Sequence, residues 1–269
     1  MCPAPSGVEV STDARGVLTV TIDRPKAANS LTPQARDELT DIFQRASSTA
    51  TVRAVLLRST GDRHFCAGAA LDATAAGPDT EHPVGDVARI LQHGWQRLTA
   101  AILDCDKPVV VAVQGTAAGA GASLVLAADF VVMADSATLV QTFIRRGILP
   151  DAGAAYLLTR IVGLRRAAEM LMLGDKLTAG QCEQFGIVNR AVPAAEVTKV
   201  SDELAGRLAA GPTITLALTK KLLAVASESS RDRAFQQEAW AQELVSHTED
   251  MHAGLAAFGR RAEPRFRGR

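Results

Sequence analysis

The stretch Val109-Val110-Val111-Ala112-Val113-Gln114-Gly115-Thr116-Ala117-Ala118-Gly119-Ala120-Gly121-Ala122-Ser123-Leu124 constrains the fold more than any other part of the chain. Val109 to Val113 is apolar without polar alternation, the pattern of a strand covered on both faces. Gly115, Gly119 and Gly121 have no Cβ, so the backbone can bend sharply there and another group can approach it. Leu124 to Ala128 carries an apolar helix onward. A helix that begins at this turn aims free N–H groups and the positive end of its dipole into the turn. Such a place suits a phosphate or a carbonyl acquiring charge. A dinucleotide fingerprint fails here, because after Gly119-Ala120-Gly121 the third glycine would fall at Leu124. A G-x-S-x-G nucleophile elbow fails too, because Ser123 lies between Ala122 and Leu124, and Val125 stands where glycine is required. Tight helix–strand packing and a charge-stabilising turn both remain open on these residues alone.

The 269 residues suffice for one large domain, or a domain with an appendage, and 47% apolar content supplies a sizeable core. Lysine and arginine number 29, as do aspartate and glutamate, so no basic surplus points to nucleic acid or an anionic membrane. An aromatic content of 4% argues against base-stacking platforms. Cys2, Cys66, Cys105 and Cys182 are scattered, with no C-x-x-C pair, so neither a zinc site nor a disulfide frame is expected. No basic-then-apolar leader opens the chain and no apolar run reaches membrane-spanning length. The expectation is a soluble, reduced, cytoplasmic protein with no metal, no nucleic acid and no membrane partner.

Along the chain, Val8 to Ser11 and Val17 to Ile22 read as short strands around a polar turn. Asp23 to Leu31 is a loop. Thr32 caps a helix with Pro33 at its first position, and Ala35, Leu39, Ile42, Phe43 and Ala46 give it one apolar face. Val52 to Leu57 is a buried strand, and His64-Phe65-Cys66-Ala67-Gly68-Ala69-Ala70-Leu71 is a second small-residue turn. Ala73 to Gly85 lacks periodicity and reads as a loop and candidate lid. Val87, Ile90, Leu91, Gly94, Trp95, Leu98 and Ile102 mark one face of a single helix. Phe130 to Met133 is a short strand. Asp151 precedes an apolar helical run from Ala154 to Val162, and Leu164 to Leu173 forms a helix ended by Gly174. Thr178 caps the next helix, and Ile187 to Val192 is a strand. From Glu196 everything reads helical. The expected organisation is α/β, with residues 1–195 as core and 196–269 as a helical oligomerisation region.

Five segments in this order and spacing resemble the crotonase (enoyl-CoA hydratase/isomerase) superfamily. They are Asp23-Arg24-Pro25-Lys26-Ala27-Ala28-Asn29-Ser30-Leu31, Phe65-Cys66-Ala67-Gly68-Ala69-Ala70-Leu71, Gln114 to Leu124, Gly147-Ile148-Leu149-Pro150-Asp151-Ala152-Gly153, and Gly174-Asp175-Lys176-Leu177-Thr178-Ala179. The resemblance runs from about Val8 to Phe266. It implies a crotonase-like spiral of ββα repeats with a C-terminal all-helical trimerisation region. It also implies assembly as a homotrimer or a dimer of trimers (a hexamer), and acyl-CoA as the ligand. No cofactor is implied, since the CoA thioester is itself the substrate. Matched position by position, the backbone N–H groups of Ala69 and Ala120 form an oxyanion hole. CoA lies along Arg24, Lys26, Ala27, Ala67 and Leu71. Phe258 and Arg261 from a neighbouring subunit touch the nucleotide, with Arg where the family usually has Lys.

The chain departs from the family's hydratases at two places. Their paired glutamates correspond to Ser123 and Phe143, and neither side chain does carboxylate chemistry. Asp151 matches the single acid/base of several isomerases, so the resemblance implies an enoyl-CoA double-bond isomerase. Apolar neighbours (Phe143, Leu149, Ala152) should raise the Asp151 pKa. The competing structural role for Asp151 is N-cap of the following helix. Asp129 reads as structural, tying the end of the central helix, and Asp72 as displaced from the family's acidic position. His93 and Trp95 are placed near the acyl pocket, and His64 near a CoA phosphate. Arg145 and Arg146 read as a solvated or inter-subunit patch. The alternatives are a hydratase that has recruited another acid, such as His93 or a lid residue, and an acyl-CoA-binding homologue without turnover.

Overall fold

The computed structural model describes residues 6–70 and 84–269. The expected CoA contact Leu71, Asp72, Cys2 and nearly all of the candidate lid lie outside the described residues.

Two sheets organise the core. The larger has strand order β1 (Val8–Thr12), β2 (Val17–Ile22), β3 (Ala54–Ser59), β5 (Val109–Val113), β7 (Phe130–Ala134) and β10 (Arg190–Val192). Only β1 is antiparallel to its neighbour. The smaller has order β4 (His64–Cys66), β6 (Thr116–Ala118), β8 (Thr138–Val140) and β9 (Lys176–Thr178), with β9 antiparallel. The chain alternates between them: β3 then β4, β5 then β6, β7 then β8. The last two pairs are followed by α4 (Ala120–Ala127) and α5 (Ala154–Leu173). This is the expected spiral of ββα units. Every residue of β5 is buried, as its unbroken apolar run requires.

Local chemistry explains the helices. In α1 (Pro33–Ser48), the Thr32 hydroxyl accepts from Ala35 N, and the expected apolar face is buried. The expected helix from Val87 to Ile102 is instead two, α2 (Asp86–His93) and α3 (Trp95–Leu103), broken at Gly94 with φ −111° and ψ −100°. Gly94 is packed against Arg36, whose guanidinium would stand 2.4 Å from a Cβ there. The break leaves Val87 and Ile90 of α2 exposed while Trp95, Leu98 and Ile102 of α3 are buried. The strand expected from Val52 begins at Ala54, because Val52 N closes a turn on Thr49 O. The strand expected from Ile187 shrinks to β10, because Ile187 N and Val188 N both turn back to Cys182 O. In α5, Gly163 is non-helical (φ 76°, ψ 165°), so two helices meet there as expected. Thr178 forms a capping box with Gln181 on α6 (Ala179–Gln184). The last third is helical: α7 (Val197–Ala209), α8 (Thr213–Ala226), α9 (Arg231–Ser246) and α10 (Glu249–Gly259). No single helix among the described residues is long and apolar enough to cross a membrane.

Candidate active site

Three turns converge on α4. The first is Arg24 to Ala28, built around Asn29, which is 1% exposed. Asn29 Oδ1 accepts from Arg24 N at 2.9 Å, and Nδ2 donates to Thr60 O at 2.9 Å and His64 O at 2.7 Å. Ala28 and Asn29 both take positive φ, at 52° and 54°. Asn tolerates this conformation and its amide substitutes for backbone partners. The Arg24 guanidinium turns inward and donates to Ser30 O at 2.6 Å, while Lys26 and Ala27 are exposed. Sequence reasoning placed Asn29 only in a loop. Its signal was an Asn between a Pro turn and a capped helix.

The second turn runs from Cys66 to Ala70. Ala67 N donates to Ala28 O at 3.1 Å, which joins it to the first turn. Leu31 N donates to Gly68 O and Ala70 N donates to Leu31 O, a parallel bridge centred on Ala69. Such a bridge points the Ala69 N–H away from Leu31. The third turn is Ala118 to Gly121. Gly119 (φ 55°) caps α4, and its carbonyl accepts from Ala122 N and Ser123 N. Ala120 N is left at the helix start without an acceptor among the described residues. The second and third turns touch, because a Cβ on Gly68 (φ 89°) would lie 3.2 Å from Ala120 N. The structure therefore brings Ala69 and Ala120 into neighbouring turns, and neither N–H has an acceptor among the described residues.

Asp151 stands before α5. The cap of that helix is Gly153 (φ 80°), with no side-chain cap bond, so the capping role expected as an alternative for Asp151 is not the one it has. Ala152 (φ 51°) and Gly153 together separate the carboxyl from the helix start. Asp151 as a whole is half-buried, and its Oδ1 is buried with no hydrogen-bond partner among the described residues. Burial pushes the Asp151 pKa above its ordinary value. Phe143 and Ala152 are buried, whereas Leu149, an expected apolar neighbour, is 85% exposed. Ser123 is fully buried and its hydroxyl has no partner. Both polar atoms of the Gln141 side chain, just past β8, are likewise buried and unpaired, and sequence reasoning assigned Gln141 nothing.

Other expected residues lie elsewhere. His93 is exposed at the end of α2, and Trp95 is buried on α3. His64, Lys26 and Arg63 line a cleft of about 220 Å³ with Asn29, Thr60 and Asp62, beside the Arg24–Ala28 turn. Phe258 is 85% exposed on α10, whose neighbours are α9 and the C-terminal tail. Arg261 is exposed at the start of that tail. Arg145 and Arg146 are exposed, and Arg145 pairs with Asp175 at 3.8 Å. Asp129 does not tie the central helix. Its Oδ2 accepts from Val109 N and from Lys220 Nζ, each at 2.8 Å, and so holds the start of β5 to α8. Among the described residues, no cluster of histidine, cysteine or acidic side chains is arranged to hold a metal.

A spiral of ββα units over mostly parallel sheets, followed by a helical C-terminal region, is the architecture of the crotonase superfamily. The enoyl-CoA hydratase/isomerase family model matches residues 12–269, and the chain belongs to that family. It is similar to 1,2-epoxyphenylacetyl-CoA isomerase of Escherichia coli (strain K12), at 32% identity over 95% of this chain and 96% of that protein. It is 36% identical to a probable enoyl-CoA hydratase of Rhodobacter capsulatus, again over 95% and 96%. The crystal structure of enoyl-CoA hydratase from Bacillus anthracis superposes with a TM-score of 0.90 at 29% identity, covering 98% of this chain and all of that one.

Proposed function

We propose that the protein is an acyl-CoA double-bond isomerase that uses Asp151 as its only acid/base. The observation that carries this reading is the Asp151 carboxyl: half-buried with Oδ1 out of solvent, free of any cap and pushed up in pKa, while the two positions of a hydratase's glutamates hold Ser123 and Phe143. The similarity to an epoxyphenylacetyl-CoA isomerase supports it.

The thioester oxygen sits between the N–H groups of Ala69 and Ala120. Asp151 takes a proton from C2 of a 3-enoyl thioester; the released C–H pair forms a double bond between C1 and C2 as the carbonyl pair moves onto the oxygen, and the 3,4 double bond stays in place. The resulting dienolate is stabilised by the two donors, each worth about 3 kcal/mol of barrier. The same carboxyl, now protonated, returns the proton at C4. No water is added, so one carboxyl suffices. A pKa raised by burial suits this exchange, because the proton must be both taken and given near neutral pH. CoA lies along Lys26, Ala27 and Ala67, with Arg24 holding the turn. Phe258 and Arg261 reach the nucleotide of a neighbouring subunit in a homotrimer, which also covers Phe235, Trp240 and Leu244 of α9.

The test gives the purified protein a 3-enoyl-CoA and, separately, a 2-enoyl-CoA. The expected result is a conjugated product of unchanged mass from the first and no added water on the second, with the first activity lost in D151N. Hydration of the 2-enoyl-CoA overturns the isomerase reading. Inertness toward both leaves either a different acyl group or an acyl-CoA-binding protein without turnover.

A further inference from the structure

We propose that Thr99 on α3 is a positioning residue for Asp151, acting through the backbone turn that carries it; this rests on reading Asp151 as the proton-transfer group. Ala152 and Gly153 are consecutive residues with positive φ, at 51° and 80°, and the first of them is not glycine. Such backbone persists only where surrounding contacts hold it. Each carbonyl of the turn has a separate partner. Asp151 O accepts from Ala154 N at 2.9 Å and Gly153 O accepts from Leu157 N at 2.9 Å. Ala152 O, in a fully buried residue, accepts from Thr99 Oγ1 at 3.0 Å.

The bond crosses 53 residues of chain, and Thr99 is 4% exposed. A threonine inside a helix ordinarily turns its hydroxyl back to the carbonyl four residues earlier. Thr99 instead spends it outside its own helix, on the one turn carbonyl that the start of α5 cannot satisfy. Its methyl carbon packs on Gly153, 3.1 Å from where a Cβ would stand. Hydroxyl and methyl therefore grip the two left-handed residues next to Asp151. Thr99 does not itself reach substrate in this arrangement. It fixes where the turn places the half-buried carboxyl.

The experiment compares wild type, T99V, T99S and D151N on trans-3-hexenoyl-CoA. It follows isomerisation and deuterium uptake at C2 in D2O across a pH series. T99V keeps the shape and removes the hydroxyl. The expected result is a kcat lowered about tenfold or more, since small misplacements of a reacting group are costly, with KM within about twofold. The acidic limb of the T99V profile is expected to move to lower pH as water reaches the carboxyl, and T99S is expected to keep the wild-type kcat and limb. A T99V enzyme with wild-type kcat and limb overturns the proposal. So does a T99S enzyme as impaired as T99V, because serine keeps the hydroxyl that donates to Ala152 O and the bond alone would then not position the turn. T99A gives the same reading if T99V does not fold, and failure of both to fold assigns Thr99 to the fold alone. Full activity in D151N would instead overturn the reading of Asp151 on which this rests, so the two failures are distinguishable.

Discussion

The carbonyl oxygen of Cys66 occupies the space a side chain on Gly121 would need: a Cβ there would stand 2.2 Å from it. The neighbour is backbone, so it cannot move aside without moving the Cys66–Ala70 turn. G121A is therefore expected to lose about 3 kcal/mol or more of stability, beyond ordinary overpacking. Thermal unfolding beside G180A checks it. Gly180 lies in α6 with nothing within 4 Å of its would-be Cβ, so alanine there should stabilise by about 0.5–1 kcal/mol.

Asn29 offers a sharper contrast, because the chemistry of its side chain and not its size is what the turn uses. N29A removes the side-chain partner of Arg24 N and of Thr60 O, leaves His64 O only the longer bond from Ser59 Oγ, and puts alanine at φ 54°. A loss of about 3 kcal/mol is expected. N29D keeps the acceptor for Arg24 N but turns a carboxylate oxygen toward the two carbonyls. It should be at least as destabilising as N29A at pH 7. Denaturant unfolding of both variants measures this, and an N29D as stable as wild type would contradict it.

The features legible in the sequence were those encoded within a few residues. The Thr32 and Thr178 caps, the apolar face of α1 and the double-sided burial of β5 each depend on local pattern. The three-residue strands β6, β8 and β9 were not legible, because they exist only through pairing with distant segments. Asp151 shows the same limit. A Pro-Asp pair before an apolar run looks like a cap, but Ala152 and Gly153 turn left-handed and set the carboxyl two residues outside the cap position. Nothing local distinguishes the two outcomes. The contact that meets this turn, Thr99 Oγ1 donating to Ala152 O, comes from far earlier in the chain. The resemblance to a family singled out Asp151 where local reasoning read a cap, and it assigned no role to Asn29 or Thr99.

Lys220 and Asp129 form the tie between α8 and the start of β5, both largely buried. Burial raises the Asp129 pKa, and Lys220 opposes that shift by charge and hydrogen bond. K220M leaves a buried carboxylate with the Val109 N–H as its remaining partner. After allowance for partial exposure, a loss of about 2 kcal/mol is expected at pH 8. The deficit should shrink toward pH 5, because without the lysine the folded state holds a proton on Asp129 to still higher pH. Melting curves at the two pH values test the sign. A deficit independent of pH would mean that Lys220 stabilises by packing its stem.

Asp151 itself links catalysis to stability with a definite sign. Burial raises its folded pKa above the unfolded value, ordinarily about 3.9. Between the two values the folded state binds more protons than the unfolded one, so unfolding free energy falls as pH rises through that window. Above the folded pKa the chain carries the cost of a partly desolvated carboxylate whose Oδ1 has no partner among the described residues. D151N removes the charge and keeps the shape. It should melt higher than wild type at pH 7–8, and the two should converge below about pH 4. The same carboxyl must be ionised to take the proton, so wild-type kcat should fall along one acidic limb whose midpoint lies above 3.9. Activity lost and stability gained in one substitution would mark Asp151 as a group kept charged in a dry place for its chemistry. Stability lost instead would show that the carboxyl holds its turn together.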